Sequence, residues 1–228
     1  MRLGIFADTH DHLTNIALAV DRFNAEDVNL VLFAGDLVST IAVPPLRKLK
    51  APMIACFGDN EGNKVGLQSG FRLVGQLSEP PVRLTIEDGT RLLLVHMKRQ
   101  MRGIRDFDVG VFGHTHKPRI EHDEDGRLLI NPGETSGWSF GRPSIAILDS
   151  TSRQAVIVEL PRGQMPSSDC PTGRVTLVPV CGQDLNSSVR SAAFLPSNNG
   201  GSGPTPRSRD NWILRVARQF NWLLISGC

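Results

Sequence analysis

Leu3-Gly4-Ile5-Phe6-Ala7-Asp8-Thr9-His10 decides how this chain reads. Five residues without a charge or amide stop abruptly at an aspartate, and a histidine follows two positions on. A short apolar run bounded by polar residues is the mark of a strand covered on both faces, as in a parallel sheet. The pattern returns twice. Residues 30–34 (Leu-Val-Leu-Phe-Ala) end at Gly35-Asp36, and residues 53–57 end at Gly58-Asp59-Asn60. Between the first two runs, Leu13, Ile16, Ala17, Val20 and Phe23 fall at helical spacing and predict an amphipathic helix. Pro44 and Pro45 announce a second, short helix over 46–50. The first 60 residues therefore read as two successive β-α-β units.

The pattern then changes to hairpins. Residues 82–86 and 91–95 flank Glu87-Asp88-Gly89, and residues 119–122 and 127–130 flank Asp123-Glu124-Asp125-Gly126. Residues 109–112, 144–148 and 155–160 add further strands. Helices among the early strands and hairpins later predict two packed sheets with helices outside. After residue 160 the periodicity fades. Ser, Pro, Gly and Asn dominate, notably over 196–204, and predict a low-complexity, disordered tail over 161–228. A terminal helix over 210–225 is expected within it, with Asp210 as N-cap and Trp212, Val216, Phe220 and Leu223 on one stripe.

With 228 residues, 40% hydrophobic and 21% charged, the chain can bury a sizeable core. Its net charge of +2 is too small to argue for a nucleic acid or a membrane partner. Residues 1–160 hold 18 of the 25 basic and 20 of the 23 acidic side chains, which leaves 7 and 3 for the tail. Two kinds of sequence are joined here. Cys56, Cys170, Cys181 and Cys228 form no C-x-x-C pair, so a disulfide framework is not expected, Cys56 reads as a buried free thiol, and a reducing compartment is the default. The apolar start is too short for a signal-peptide core, and no run reaches the roughly 18 residues of a spanning helix. The expected location is the cytoplasm.

Five segments place an Asp, Asn or His just after a buried strand: Asp8-Thr9-His10, Gly35-Asp36, Gly58-Asp59-Asn60, Val95-His96 and Gly113-His114-Thr115-His116. Ligands of open α/β sheets bind beyond the carboxyl ends of the strands, so these residues can converge from distant positions. Three carboxylates brought together repel one another unless cations intervene. A mixed carboxylate and imidazole set suits Mn, Fe, Zn or Ni. A lone aspartate after a strand is more often a cap, and His12 and His122 carry no more than that reading. The recurrence at successive strand ends is what sets the others apart.

These segments, in this order, resemble the calcineurin-like metallophosphoesterase superfamily, and within it the small bacterial and archaeal phosphodiesterases. Asp8-Thr-His-Asp-His-Leu13, Ile130-Asn-Pro-Gly-Glu134 and Gly141-Arg-Pro-Ser-Ile-Ala-Ile-Leu-Asp149 extend the likeness over residues 1 to about 160. The resemblance implies an α/β fold, a four-layer α-β-β-α sandwich of two mixed sheets, over a domain of residues 1–160. It implies a metal-dependent phosphoesterase with two divalent cations, Mn first and Ni, Zn, Fe or Mg as alternatives. Asp8, His10, Asp36 and His116 would hold one cation. Asp36 would bridge to a second, completed by Asp59, His96 and His114. A metal-bridging hydroxide would attack the phosphorus of a small phosphate ester, with Asn60 at the substrate.

The chain departs from the family pattern at two positions. A metal-binding Asn is replaced by Asp59, which adds negative charge. The next position, often a His that protonates the leaving group, is Asn60, whose amide cannot transfer a proton. His12 is the conceivable substitute. Lys98 and Arg99 are candidates for phosphate contact. Gly137-Trp-Ser-Phe-Gly141 matches the nucleophile-elbow pattern, but a strand follows and all six histidines precede Ser139, so a serine-hydrolase reading fails. The rival reading is a catalytically weak protein-interaction scaffold on the same fold. It would be expected to lose ligands, whereas every ligand position keeps a competent side chain. A nuclease would want a basic groove, and the slightly acidic 1–160 region counts against long nucleic acids. Relatives of this type form homo-oligomers, though no symmetric interface is legible. The abrupt loss of Lys and Glu after Glu159 fits a frame shift or mis-called gene end better than a selected appendage that docks on a membrane surface or partner. A chain cut after Leu160 is accordingly expected to keep its far-UV circular dichroism and its cation binding; an unfolded or cation-blind truncation contradicts this.

Overall fold

The structure, a computed structural model, describes residues 1–161. The domain boundary near residue 160 and the terminal helix expected over 210–225 involve residues outside that range. Among the described residues, eleven strands form two sheets. The first contains Arg2–Phe6 (β1), Leu30–Phe33 (β2), Met53–Cys56 (β3) and Gly75–Ser78 (β4) as parallel neighbours. Ser144–Asp149 (β10) and Gln154–Glu159 (β11) extend it antiparallel, giving the order β11-β10-β1-β2-β3-β4. The second sheet comprises Val82–Thr85 (β5), Arg91–Leu94 (β6), Val109–Val111 (β7), Arg119–His122 (β8) and Leu128–Asn131 (β9), in the order β5-β6-β7-β9-β8. Both hairpins pair antiparallel, β5 with β6 and β8 with β9, while β6, β7 and β9 run parallel.

Strand alternation builds the layers. Leu3, Ile5 and Ala7 of the first run, with Leu30 and Leu32 beside them, face the second sheet and meet Leu92, Leu94, Val109 and Val111 in an apolar slab. The opposite face, with Phe6, Val31 and Phe33, lies under the helices Leu13–Ala25 (α1), Val43–Leu46 (α2) and Lys64–Phe71 (α3). Gly4 lets α1 approach, because a Cβ there would lie 2.5 Å from the Phe23 ring. The second sheet's outer face is covered thinly. Leu93, Val95 and Leu129 pack against Met101 of the 3-10 turn Lys98–Met101 and against Phe107 in the loop after it.

Local boundaries differ from the sequence expectation in three places. The buried stripe of α1 is Asn15, Ile16, Ala19, Val20 and Phe23, with Leu13 37% exposed. Leu13 is the first helical residue. The second helix runs over Val43–Leu46 and not 46–50. Its prolines sit inside its first turn, where a missing N–H costs nothing. The expected pattern also omits α3 and β4. Each offers little periodic signal: α3 buries only Leu67 and Phe71, and β4 only Leu77.

Register then carries the chemistry to one edge. Phe6 pairs with Phe33, so the next residues run level and the Asp8 N–H donates to the Gly35 carbonyl at 3.0 Å. Leu94 pairs with Val111 in the second sheet, and the Gly113 N–H donates to the His96 carbonyl at 2.9 Å. Phe23 is fully buried, with its ring 5.6 Å from Phe6. Phe23→Ala is expected to cost about 3–5 kcal/mol, read as a lower urea midpoint; a loss under about 1 kcal/mol would mean the α1 interface carries little of the fold.

Candidate metal centre

Asp8, Asp36 and Asp59 follow β1, β2 and β3, and His96 and His114 follow β6 and β7, each a few residues past its strand. Two donor groups result. Asp8, His10, Asp36 and His116 form one, and Asp59, His96 and His114 the other; within each, the donor atoms lie within 4.8 Å of one another. The backbone turns sharply to do this. Asp8, His10, Asp36, His114 and His116 have φ values of 52°, 40°, 66°, 67° and 60°, all in the left-handed region. Non-glycine residues occupy that region rarely, and such strain gathers at functional sites. Two glycines make room. A Cβ on Gly58 would lie 2.1 Å from Asp36 Oδ1, and one on Gly35, whose φ is +94°, would lie 2.5 Å from His96 Nδ1.

Asp36 is the hub. Its Oδ1 accepts the N–H groups of Asp59 and Asn60 at 3.0 and 3.1 Å and lies 3.5 Å from His96 Nε2. Its Oδ2 accepts the Asn60 amide at 2.8 Å and lies 3.5 Å from His10 Nε2. Across the second group, Asp59 Oδ1 is 2.7 Å from His96 Nε2 and 3.3 Å from His114 Nδ1. The imidazole tautomers are set from outside. His96 Nδ1 is 2.7 Å from the Ala34 carbonyl, which can only accept, so that nitrogen carries a hydrogen and Nε2 is the one turned to the donor cluster. His116 Nδ1 is 2.9 Å from the Glu134 carboxylate, so its Nε2 likewise faces inward, 3.2 Å from His10 Nε2. An outer carbonyl or carboxylate on the far ring nitrogen is how metal-binding imidazoles are oriented.

The donor set fits cations. Asp8 Oδ2 is buried without a hydrogen-bond partner, although Asp8 Oδ1 accepts the His114 N–H at 3.0 Å. Burial raises the Asp8 carboxyl to about 7, with Asp36 adding to the rise and His96 and His116 opposing it. Burial lowers His10. Burial opposes charge on His96 most strongly, but Asp36, the Ala34 carbonyl, Asp8 and Asp59 together outweigh it and hold His96 above its ordinary value. Burial also opposes charge on Asp59, yet its hydrogen bond with His96 and the nearby imidazoles keep it below the usual carboxyl range. A carboxyl that must otherwise hold a proton in a buried cluster of imidazoles is relieved by a cation.

Three supporting residues were given no role from the sequence, although Asn131 and Glu134 lie in the Ile130–Glu134 stretch that carries part of the resemblance. Glu61 Oε1 accepts the N–H groups of Gly58, Asp36 and Leu37 at 2.8, 2.9 and 3.3 Å, tying together the loops after β2 and β3. Glu134, fully buried, takes His116 and the N–H groups of Ser139 and Phe140 at 2.9 and 2.6 Å. Asn131 donates to the Gly113 carbonyl and to Thr115 at 2.9 and 3.0 Å, fixing the His114–His116 turn. A Gly-flanked carboxylate after a strand is the clue that would have found Glu61 and Glu134. His12 caps α1 by accepting the Asn15 N–H at 3.2 Å, and His122 lies exposed on β8. Lys98 is bonded to Glu121 at 2.6 Å, and with Arg99 it lines a cavity of about 740 Å³ that contains none of the seven donors. Ser139 Oγ is 2.8 Å from His116 Nδ1, in a loop and not on a strand-to-helix elbow.

Residues 1–153 match the family model described as the calcineurin-like phosphoesterase superfamily domain. A phosphodiesterase of Methanocaldococcus jannaschii is 34% identical over 160 residues, 68% of this chain and 96% of that protein. A solved archaeal phosphodiesterase superposes with a TM-score of 0.64 at 33% identity, covering 70% of this chain and all of the other. A phosphoesterase from E. coli shares the fold at a TM-score of 0.55 and 20% identity, covering 71% of this chain and all of that one.

The raised Asp8 carboxyl gives a signed expectation. A carboxyl lifted in the folded state favours the fold while protonated, below its ordinary range, and that contribution is lost as pH rises through about 7. Cations compete with the proton and reverse the loss. Added Mn should therefore raise the melting temperature more at pH 8 than at pH 5, with proton release on binding below about pH 7. Equal gains at both pH values would contradict the reading.

Proposed function

The chain belongs to the calcineurin-like phosphoesterase superfamily, and on that premise we propose that it is a phosphodiesterase working with two divalent cations. One observation carries the proposal: seven oxygen and nitrogen donors in two adjoining groups that share the Asp36 carboxylate. Asp8, His10, Asp36 and His116 would hold one cation; Asp59, His96 and His114, with Asp36 between, would hold the other. When bound, the pair supplies an acidified water for attack and positive charge for the phosphate oxygens.

The chain's own residues do the rest. The Ala34 carbonyl and Glu134 keep the His96 and His116 lone pairs aimed inward. Glu61 holds the Asp36 and Gly58 loops at one spacing. Asn60, held on Asp36 Oδ2, can donate a hydrogen bond at the substrate but no proton. Leaving groups that depart unprotonated, such as aryl oxides, are therefore the better substrates. His12 is committed through Nδ1 to capping α1, and its ring packs 4.6 Å from Trp138, which supports a structural role for it. Manganese is the cation we favour, with Ni, Zn, Fe and Mg as alternatives, because mixed carboxylate and imidazole donors fit this class. A small ester and a cytoplasmic setting fit the mildly acidic 1–160 region and the buried, free Cys56, and no described helix is long and apolar enough to cross a membrane. The scaffold alternative is not favoured, since no donor is missing, and a homo-oligomer is compatible with the site.

Metal-stripped protein given Mn, Ni, Zn or Mg and a panel of phosphomono- and diesters tests this. Aryl diester turnover should return with Mn. Asp36→Asn should cut it by more than about 100-fold, and Glu134→Gln should weaken cation binding by about 10–100-fold, the usual loss when an outer partner of a metal-binding imidazole is removed. Tight cation binding by calorimetry with no turnover of any ester would instead favour the scaffold.

A further inference from the structure

Among the described residues, two large aromatic side chains stand exposed, Trp138 at 58% and Phe140 at 51%. Both belong to the loop 137–141 and both border the first donor group. The Trp138 indole N–H donates to the His10 carbonyl at 3.4 Å, and its ring lies 4.6 Å from that of His12. Phe140 lies beneath the Lys117 ammonium, 5.4 Å from the ring centroid, and Lys117 directly follows His116. Ser139, between them in sequence, places its Oγ 2.8 Å from His116 Nδ1.

The loop is fastened to the site itself. The buried Glu134 carboxylate accepts the Ser139 and Phe140 N–H groups and also the His116 ring. The Gly141 N–H closes the loop on the Gly137 carbonyl at 3.0 Å. Leaving two aromatic rings in water forgoes their burial, and here they are held beside the donors by the same carboxylate that orients a donor. The rim also carries a positive charge at Lys117, complementary to a phosphate anion.

We propose that Trp138 and Phe140 form a binding subsite for the planar aromatic group, nucleobase or aryl ring, of a phosphate ester whose phosphate occupies the donor cluster. This rests on the phosphoesterase reading and adds a substrate class to it. Aromatic rings stack on planar ligands in a sequence-tolerant way. The subsite thus selects for a flat group one ester linkage or one sugar away from phosphorus, and Lys117 offsets the anion's charge at its edge.

The test uses Trp212→Phe/Trp222→Phe full-length protein, which leaves Trp138 as the single tryptophan of three. With Mn present, it is titrated with AMP, phenyl phosphate and ribose 5-phosphate, read by Trp138 fluorescence and by calorimetry. AMP and phenyl phosphate should quench the fluorescence and bind about tenfold more tightly than ribose 5-phosphate, within the range that stacking supplies. AMP favoured over phenyl phosphate identifies a nucleobase; the reverse identifies an aryl ring. Phe140→Leu in this background, and Trp138→Leu read by calorimetry, should erase the preference and leave ribose 5-phosphate binding intact. Equal, Mn-dependent binding of all three overturns the subsite while leaving the phosphoesterase reading standing. No Mn-dependent binding of any of them also overturns the subsite, and the aryl diester turnover described above then decides the phosphoesterase reading.

Discussion

A carboxylate placed among other carboxylates at the end of a sheet is unstable unless something positive or something that donates hydrogen bonds stands beside it. Asp36 meets that demand in the most concentrated form in this protein. It is 1% exposed, accepts two backbone N–H groups and an amide, and faces two imidazoles. Much of the local architecture follows from satisfying it. Gly58 has no side chain because any Cβ would strike its oxygen. Asn60 is turned inward to donate to it. Glu61 fixes the backbone that delivers it.

The two sheets contribute differently. The first, with its run of parallel strands, supplies all three carboxylates from one edge, while the second supplies the imidazoles of His96, His114 and His116. Neither sheet holds a full donor group alone. The apolar slab of Leu3, Ile5, Leu92 and Val109 therefore does more than stabilise; it joins the sheet that supplies the carboxylates to the sheet that supplies three of the imidazoles. Left-handed turns at five donors then bring the side chains over the seam.

Much of this was legible in the sequence because strand ends are marked by an abrupt change from apolar to chelating residues, as at Ala7-Asp8 and Gly35-Asp36. The two sheets could be anticipated from the switch between helical and hairpin patterns. What escaped the sequence was of two kinds. Elements that bury one or two side chains, such as α3 and β4, leave no periodic trace. Residues whose task is to hold backbone amides or ring nitrogens, such as Glu61 and Glu134, look like ordinary loop carboxylates until the fold shows what they face. Trp138 and Phe140 sat inside a false nucleophile-elbow pattern, and only their exposure beside His10 and His116 separates them from loop filler.

Asp59 has an electrostatic consequence of its own. With two divalent ions bound, as proposed, three carboxylates would leave a single positive charge before any hydroxide is counted, where an amide at that position would leave two. Such a centre would hold the single negative charge of a diester more readily than the two of a monoester dianion. Selectivity between those two ester types would then arise from charge parity at the reaction centre, independent of the shape of the groups attached to phosphorus.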